Sequence, residues 1–121
     1  TSVDKEYRIP YSSWWPQELP DERNFDEARA KLDSVGWEVD YVITHTCSTR
    51  MLSPTLYPAP GWNYPGVDRL TAFFDELEEC LDYKRWYYGH FHRDANPAER
   101  HTVLYDRIVR LGDELQPWDV A

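Results

Sequence analysis

At 121 residues, 41% hydrophobic and 16% aromatic, the chain has the length and apolar content of one modest folded domain. A formal net charge of −9 argues against a nucleic-acid surface, which needs clustered Lys and Arg, though it leaves a phosphate substrate open because bound metal ions can supply positive charge. No apolar run approaches the roughly 18 residues that a membrane span requires.

Residues 1–22 carry Pro10, Pro16 and Pro20 and read as an ordered surface loop anchored by Trp14 and Trp15. Asp4, Lys5 and Glu6 near the start do not read as a signal peptide. A first helix is expected from Asn24 as N-cap, with Glu27 three residues on as a capping box requires. Phe25, Ala28 and Leu32 fall on one face, and Gly36 is a natural stop. "WEVDYVITH" then reads as a strand, and its continuous apolar run from Tyr41 to Ile43 predicts burial on both faces. His45 stands at its carboxyl end.

The segment 46–66 is punctuated by Pro54, Pro58, Pro60 and Pro65 and reads as an ordered, functional loop, with Tyr57, Trp62 and Tyr64 as anchors. A second helix is predicted over 67–81, with Val67, Leu70, Phe74, Leu77 and Leu81 on one stripe. Asp75, Glu76, Glu78 and Glu79 are assigned mostly to its solvated side. "YKRWYYGHFH" reads as a second buried strand ending at Gly89, and 101–105 and 107–111 as two short strands, antiparallel neighbours. This order implies an α/β layer with crossover helices, in which ligands collect beyond the carboxyl ends of the strands. His45, His90 and His92 all fall there.

Imidazole suits zinc, manganese or iron. In an extended chain residues i and i+2 point the same way, so His90 and His92 could converge, Gly89 would allow a bend, and His45 could join from the neighbouring strand end. Spacing alone leaves two readings open: metal ligands, or polar side chains on half-exposed strands. His101 reads as structural or surface. Asp4, Asp40 and Asp94 are weaker ligand candidates that suit turns or caps, and Arg93 could reach a phosphate or simply lie on the surface. Cys47 follows His45 closely, but no charged neighbour in sequence activates it as a nucleophile. Cys47 and Cys80 form no disulfide framework, which points to a reducing cytoplasm.

"DYVITHTCS", then "WYYGHFHRD", then "TVLYDRIVRLG" together resemble the C-terminal half of the calcineurin-like metallophosphoesterases. That family's later signatures are a histidine at a strand end followed by Gly-His-x-His; here they stand as Thr44-His45 and Gly89-His90-Phe91-His92. "SVDKEYR" and "SWWPQELP" also look like the middle of a bacterial branch of the family. The likeness covers essentially the whole chain. The family's first-half motifs, Asp-x-His, Gly-Asp-x-x-Asp and Gly-Asn-His-Asp/Glu, do not occur in this sequence.

The resemblance therefore implies a single partial domain over 1–121, the second half of an αββα sandwich: a truncated piece, a proteolytic piece or one partner of a split protein. It implies a dinuclear site of two divalent transition metals (Mn, Fe or Zn) hydrolysing phosphomonoesters or phosphodiesters. His45 and His90 would serve one ion and His92 the other, and the leaving-group acid would come from the absent half. The fragment alone is expected to be inactive, and to associate with its missing half or with a second copy of itself through an exposed apolar face. The alternative is a non-enzymatic binding module using its aromatic loops for carbohydrate or peptide. A three-histidine site in a small β-barrel is disfavoured by the two amphipathic helices.

Overall fold

A computed structural model describes residues 19–56 and 67–120. Residues 1–18 of the expected first loop, with Asp4, Trp14 and Trp15, and residues 57–66 of the second, with Tyr57, Trp62 and Tyr64, lie outside these residues.

Helix α1 spans Glu22–Ser34. Its N-cap is Asp21 rather than Asn24: Asp21 Oδ1 accepts from the Asn24 amide and Asn24 Oδ1 from the Asp21 amide, both at 3.1 Å. Two short polar side chains thus cap each other, and the helix starts earlier than the Asn24–Glu27 spacing suggests. Strand β1 is Tyr41–Thr44, α2 is Thr49–Leu56, α3 is Arg69–Cys80, β2 is Arg85–Tyr88, β3 is Ala95–Ala98 and β4 is His101–Val103. Helix α2 lies inside the stretch 46–66 expected to be loop. Its first turn is tied to α3, where Asp75 Oδ1 accepts from the Arg50 amide at 2.9 Å and satisfies one of the amides a helix start leaves open.

Among the described residues the chain is thus a mixed α/β fold with three helices and one four-stranded sheet, ordered β1-β2-β4-β3. The pairs β1–β2 and β2–β4 are parallel; β3 runs antiparallel to β4. Upstream, a parallel bridge between Glu38 and Asp82 extends the first pair. The core lies between the helices and one sheet face. Phe25 stacks on Phe73 at 4.6 Å, and Phe74 meets the fully buried Trp86 edge-on at 5.5 Å. No helix among the described residues is long and apolar enough to cross a membrane.

Three expectations need correction. Ile43 is 71% exposed, so β1 is not buried on both faces. Its apolar run reflects a parallel strand whose second face, with Tyr87, Leu104, Val109 and Leu111, borders a shallow cavity of about 180 Å³. The segment 107–111 forms no strand, and Ile108 is 97% exposed. The place beside β4 is taken by β3, which a tight turn at Glu99–Arg100 folds back despite its weak strand formers. The carboxylate of Asp94 also binds the amides of Tyr105, Asp106 and Arg107 and turns the chain away. Finally, one acid of α3 leaves the solvated face: the Glu78 side chain, 8% exposed, points to the core side, while Glu76 forks onto Arg29 (2.7 and 3.0 Å) and Asp75 and Glu79 hold Arg50 nearer the surface.

Candidate functional site

The parallel register sets Thr44 beside Tyr88, so β1 and β2 end together. The ladder runs one step further, with the Gly89 amide donating to the His45 carbonyl at 3.1 Å. Beyond it the chain bends sharply, and the Phe91 amide bonds the Gly89 carbonyl at 3.0 Å. The left-handed residues of this bend are His90 (φ 75°) and His92 (φ 52°), not Gly89. The 90–92 segment is therefore not extended, and the alternation of a strand does not set where its two rings go. Phe91 is 2% exposed and plugs the turn into the core, with Tyr88 at 6.1 Å.

The structure brings two of the three candidate histidines together. His90 Nδ1 lies 2.9 Å from His45 Nε2, with the rings edge-on at 4.7 Å. His90 is buried, whereas His45 is exposed. Burial first, then the neighbouring His45 ring, push the His90 imidazole down to about 4, so it is neutral at pH 7. His92 is exposed and stacks on Tyr105 at 4.9 Å.

Two nitrogens sharing one tetrahedral ion at about 2.0–2.1 Å stand roughly 3.3 Å apart. The His45–His90 contact, at 2.9 Å, is a hydrogen bond between the two rings and is shorter than that value, so the pair would open by a few tenths of an ångström to act as two donors. Among the described residues, no group of three or more His, Cys, Asp or Glu is placed to hold a metal. Asp40 pairs with Lys84 at 3.1 Å on the surface. Asp94 is spent on the three backbone amides; despite partial burial, these bonds hold its carboxyl below the usual range. The guanidinium of Arg93 donates to the Thr55 carbonyl. Burial raises the Cys47 thiol to about 12, which removes it as a nucleophile.

The sequence reading missed a second polar cluster. His101 is 5% exposed, and its Nε2 lies 3.0 Å from Glu78 Oε1 and 3.0 Å from the Tyr83 hydroxyl. Tyr83 donates to Glu78 Oε2 at 2.7 Å, and Ser48 Oγ donates to Oε1 at 3.3 Å. Burial alone would raise the Glu78 carboxyl, but the bonds from His101 and Tyr83 outweigh it and hold the group below its ordinary value. A signal was present: Glu78 stands four residues after Phe74 and three before Leu81, on the apolar stripe itself.

No family model, curated protein or solved structure matches the chain.

Proposed function

We propose that the chain is part of a metal-dependent phosphoesterase acting on phosphomonoesters or phosphodiesters, in which His45 and His90 hold one divalent transition metal (Mn, Fe or Zn). The observation that carries this reading is the 2.9 Å approach of His45 Nε2 to His90 Nδ1 at the paired carboxyl ends of two parallel strands. His92 belongs to a second ion on the strength of the Gly-His-x-His pattern. Such ions supply Lewis-acid polarisation of a phosphoryl oxygen and activation of water.

The chain's own part is to hold and orient. Burial keeps His90 in the neutral form that a ligand needs, the buried Phe91 fixes the turn, and exposed His45 presents the pair at the surface. The carboxylate ligands and the leaving-group acid come from a complementing partner, the N-terminal half of the domain or a second copy. That partner covers the sheet face bearing Ile43 and Leu111, which are 71% and 55% exposed. Alone, the chain turns over no phosphoester.

Cobalt(II) spectroscopy tests the reading. The chain should bind about one equivalent weakly, with nitrogen-ligand bands that disappear in His45→Ala and in His90→Ala. Undiminished binding in either variant would sink it, as would enzyme-like hydrolysis of p-nitrophenyl phosphate by the chain alone with manganese.

A second reading, a non-enzymatic module for carbohydrate or peptide, is favoured by the exposure of Trp118 (76%) and Tyr105 (58%). It requires that a variant with His45, His90 and His92 all changed to Ala keep its ligand.

A further inference from the structure

We infer that Glu78 and His101 are positioning residues for the histidine pair: through Ser48 on one side and Trp86 on the other, they fix the turn that carries His45 against the end of β2. The inference rests on the reading of His45 and His90 as a ligand pair.

His90 is set by its own turn, with Phe91 plugged into the core. The His45 side chain is exposed, and the backbone from Thr44 to Ser48 contributes to where it stands. That turn is irregular, yet Thr46, Cys47 and Ser48 are 1%, 0% and 0% exposed. Two routes grip it, and both start at His101. In the first, the His101 ring stacks on Trp86 (5.7 Å between centroids, 22° between planes). The Trp86 Nε1–H donates to Thr44 Oγ1 at 2.7 Å, and the Thr44 hydroxyl donates to the Thr46 carbonyl at 2.6 Å. Thr44 and Thr46 flank His45 directly. In the second route, His101 Nε2–H donates to Glu78 Oε1, which also accepts from Ser48 Oγ, three residues after His45. Glu78 Oε2 takes the Tyr83 hydroxyl, so both carboxylate oxygens are engaged.

A carboxylate is an expensive way to fill this space. The Glu78 side chain is 8% exposed, and burying its charge is costly unless hydrogen bonds satisfy it. A leucine of similar volume would pack against the neighbouring Leu77 and Leu81 without that cost. What a leucine cannot do is hold Ser48, Tyr83 and His101 at fixed angles around two oxygens. With Nε2 as donor, His101 leaves Nδ1 buried and unpartnered among the described residues, a further cost that the one productive orientation of the ring carries. Directional groups stand where apolar packing would stabilise at least as well, and their bonds lead to the two sides of His45.

Amide hydrogen exchange on the full 121-residue chain, free of metal, separates positioning from simple stabilisation. The reporter is the Gly89 amide, bonded to the His45 carbonyl; the references are Leu104, bonded to the Tyr88 carbonyl, and Val39, bonded to the Asp82 carbonyl. In Glu78→Gln and His101→Gln, Gly89 exchange should quicken about tenfold more than at Leu104 and Val39. Equal acceleration at all three amides, or an unchanged Gly89, overturns the inference. Should either variant fail to fold, Ser48→Ala removes a single hydroxyl from the second route and must show the same Gly89-selective change. In parallel, Zn(II) titration should show affinity reduced about tenfold in the folded variants, in the range expected when a group supporting a ligand is lost. If the unsubstituted chain takes up no Zn(II), the ligand reading falls, while the exchange result still decides whether the pair is positioned this way.

Discussion

His90 makes the stability of the chain depend on pH between about 6.5 and about 4. Its ordinary value of 6.5 falls to about 4 in the fold. Because the unfolded chain binds the proton more readily, unfolding takes up a proton between these values. Stability is therefore fully present above about 6.5 and is lost as the pH falls toward about 4. At about 1.4 kcal/mol per pH unit, a drop from 6.5 to about 4 corresponds to roughly 3 kcal/mol for this buried ring. Urea titrations of EDTA-treated protein at pH 7.5, 6, 5 and 4 measure it, with His90→Asn as the reference. Asparagine tolerates the left-handed backbone at φ 75° and does not titrate. Glu78 and Asp94 also have depressed carboxyls and lose stability in acid, but they do so in both proteins, so the difference isolates His90. Parallel stability–pH curves for the two proteins between pH 6.5 and 4 would refute the assignment of His90 as a buried neutral ring.

Three further perturbations follow from the fold. Gly112→Ala places a Cβ 2.8 Å from the Tyr41 hydroxyl at φ 101°, and should lower stability by about 1–3 kcal/mol in urea melts. Ile108→Asp, at a 97% exposed position, should change stability by no more than about 0.5 kcal/mol yet reduce self-association in sedimentation velocity; an unchanged sedimentation profile of an associating chain would remove this segment from the association surface. His92→Gly relieves a left-handed strain of about 1–2 kcal/mol but forfeits the Tyr105 stack and fixes a freer residue, so stability should shift by less than about 1 kcal/mol while any second Mn(II) site, read by electron paramagnetic resonance, is lost.

Much of the α/β order was legible because it rests on local signals. The apolar stripe of Leu70, Phe74, Leu77 and Leu81 marks α3, and the β-branched and aromatic runs mark β1 and β2. What was hidden depends on partners distant in sequence. Helix α2 looked like loop because Pro54 reads as punctuation, and its first turn is capped by Asp75, 25 residues away. β3 has almost no strand propensity and exists because a two-residue turn lays it beside β4. The run "RIVRL" has the propensity and forms no strand, since a strand needs an edge to pair with and Asp94 directs the chain elsewhere.

At the candidate site, residue types were legible and the geometry was not. A Gly-His-x-His string invites the assumption that glycine makes the bend and the histidines ride on an extended chain. Here the bend falls on the histidines, each in a backbone region that an L-residue occupies at a cost of about 1–2 kcal/mol. Such strain persists only where the surroundings over-determine it, and Phe91 between the two histidines supplies that constraint by its burial. The hidden partner is Glu78, which a count of acidic residues places on the wet side of α3 and the i, i+4 spacing from Phe74 places on the packed side. Charge runs on helices are therefore better sorted by phase than by sign. An acid in phase with the core stripe has to find hydrogen bonds inside, and where those bonds lead shows which loop it holds. Here they lead to Ser48, and from Ser48 back along three residues to His45.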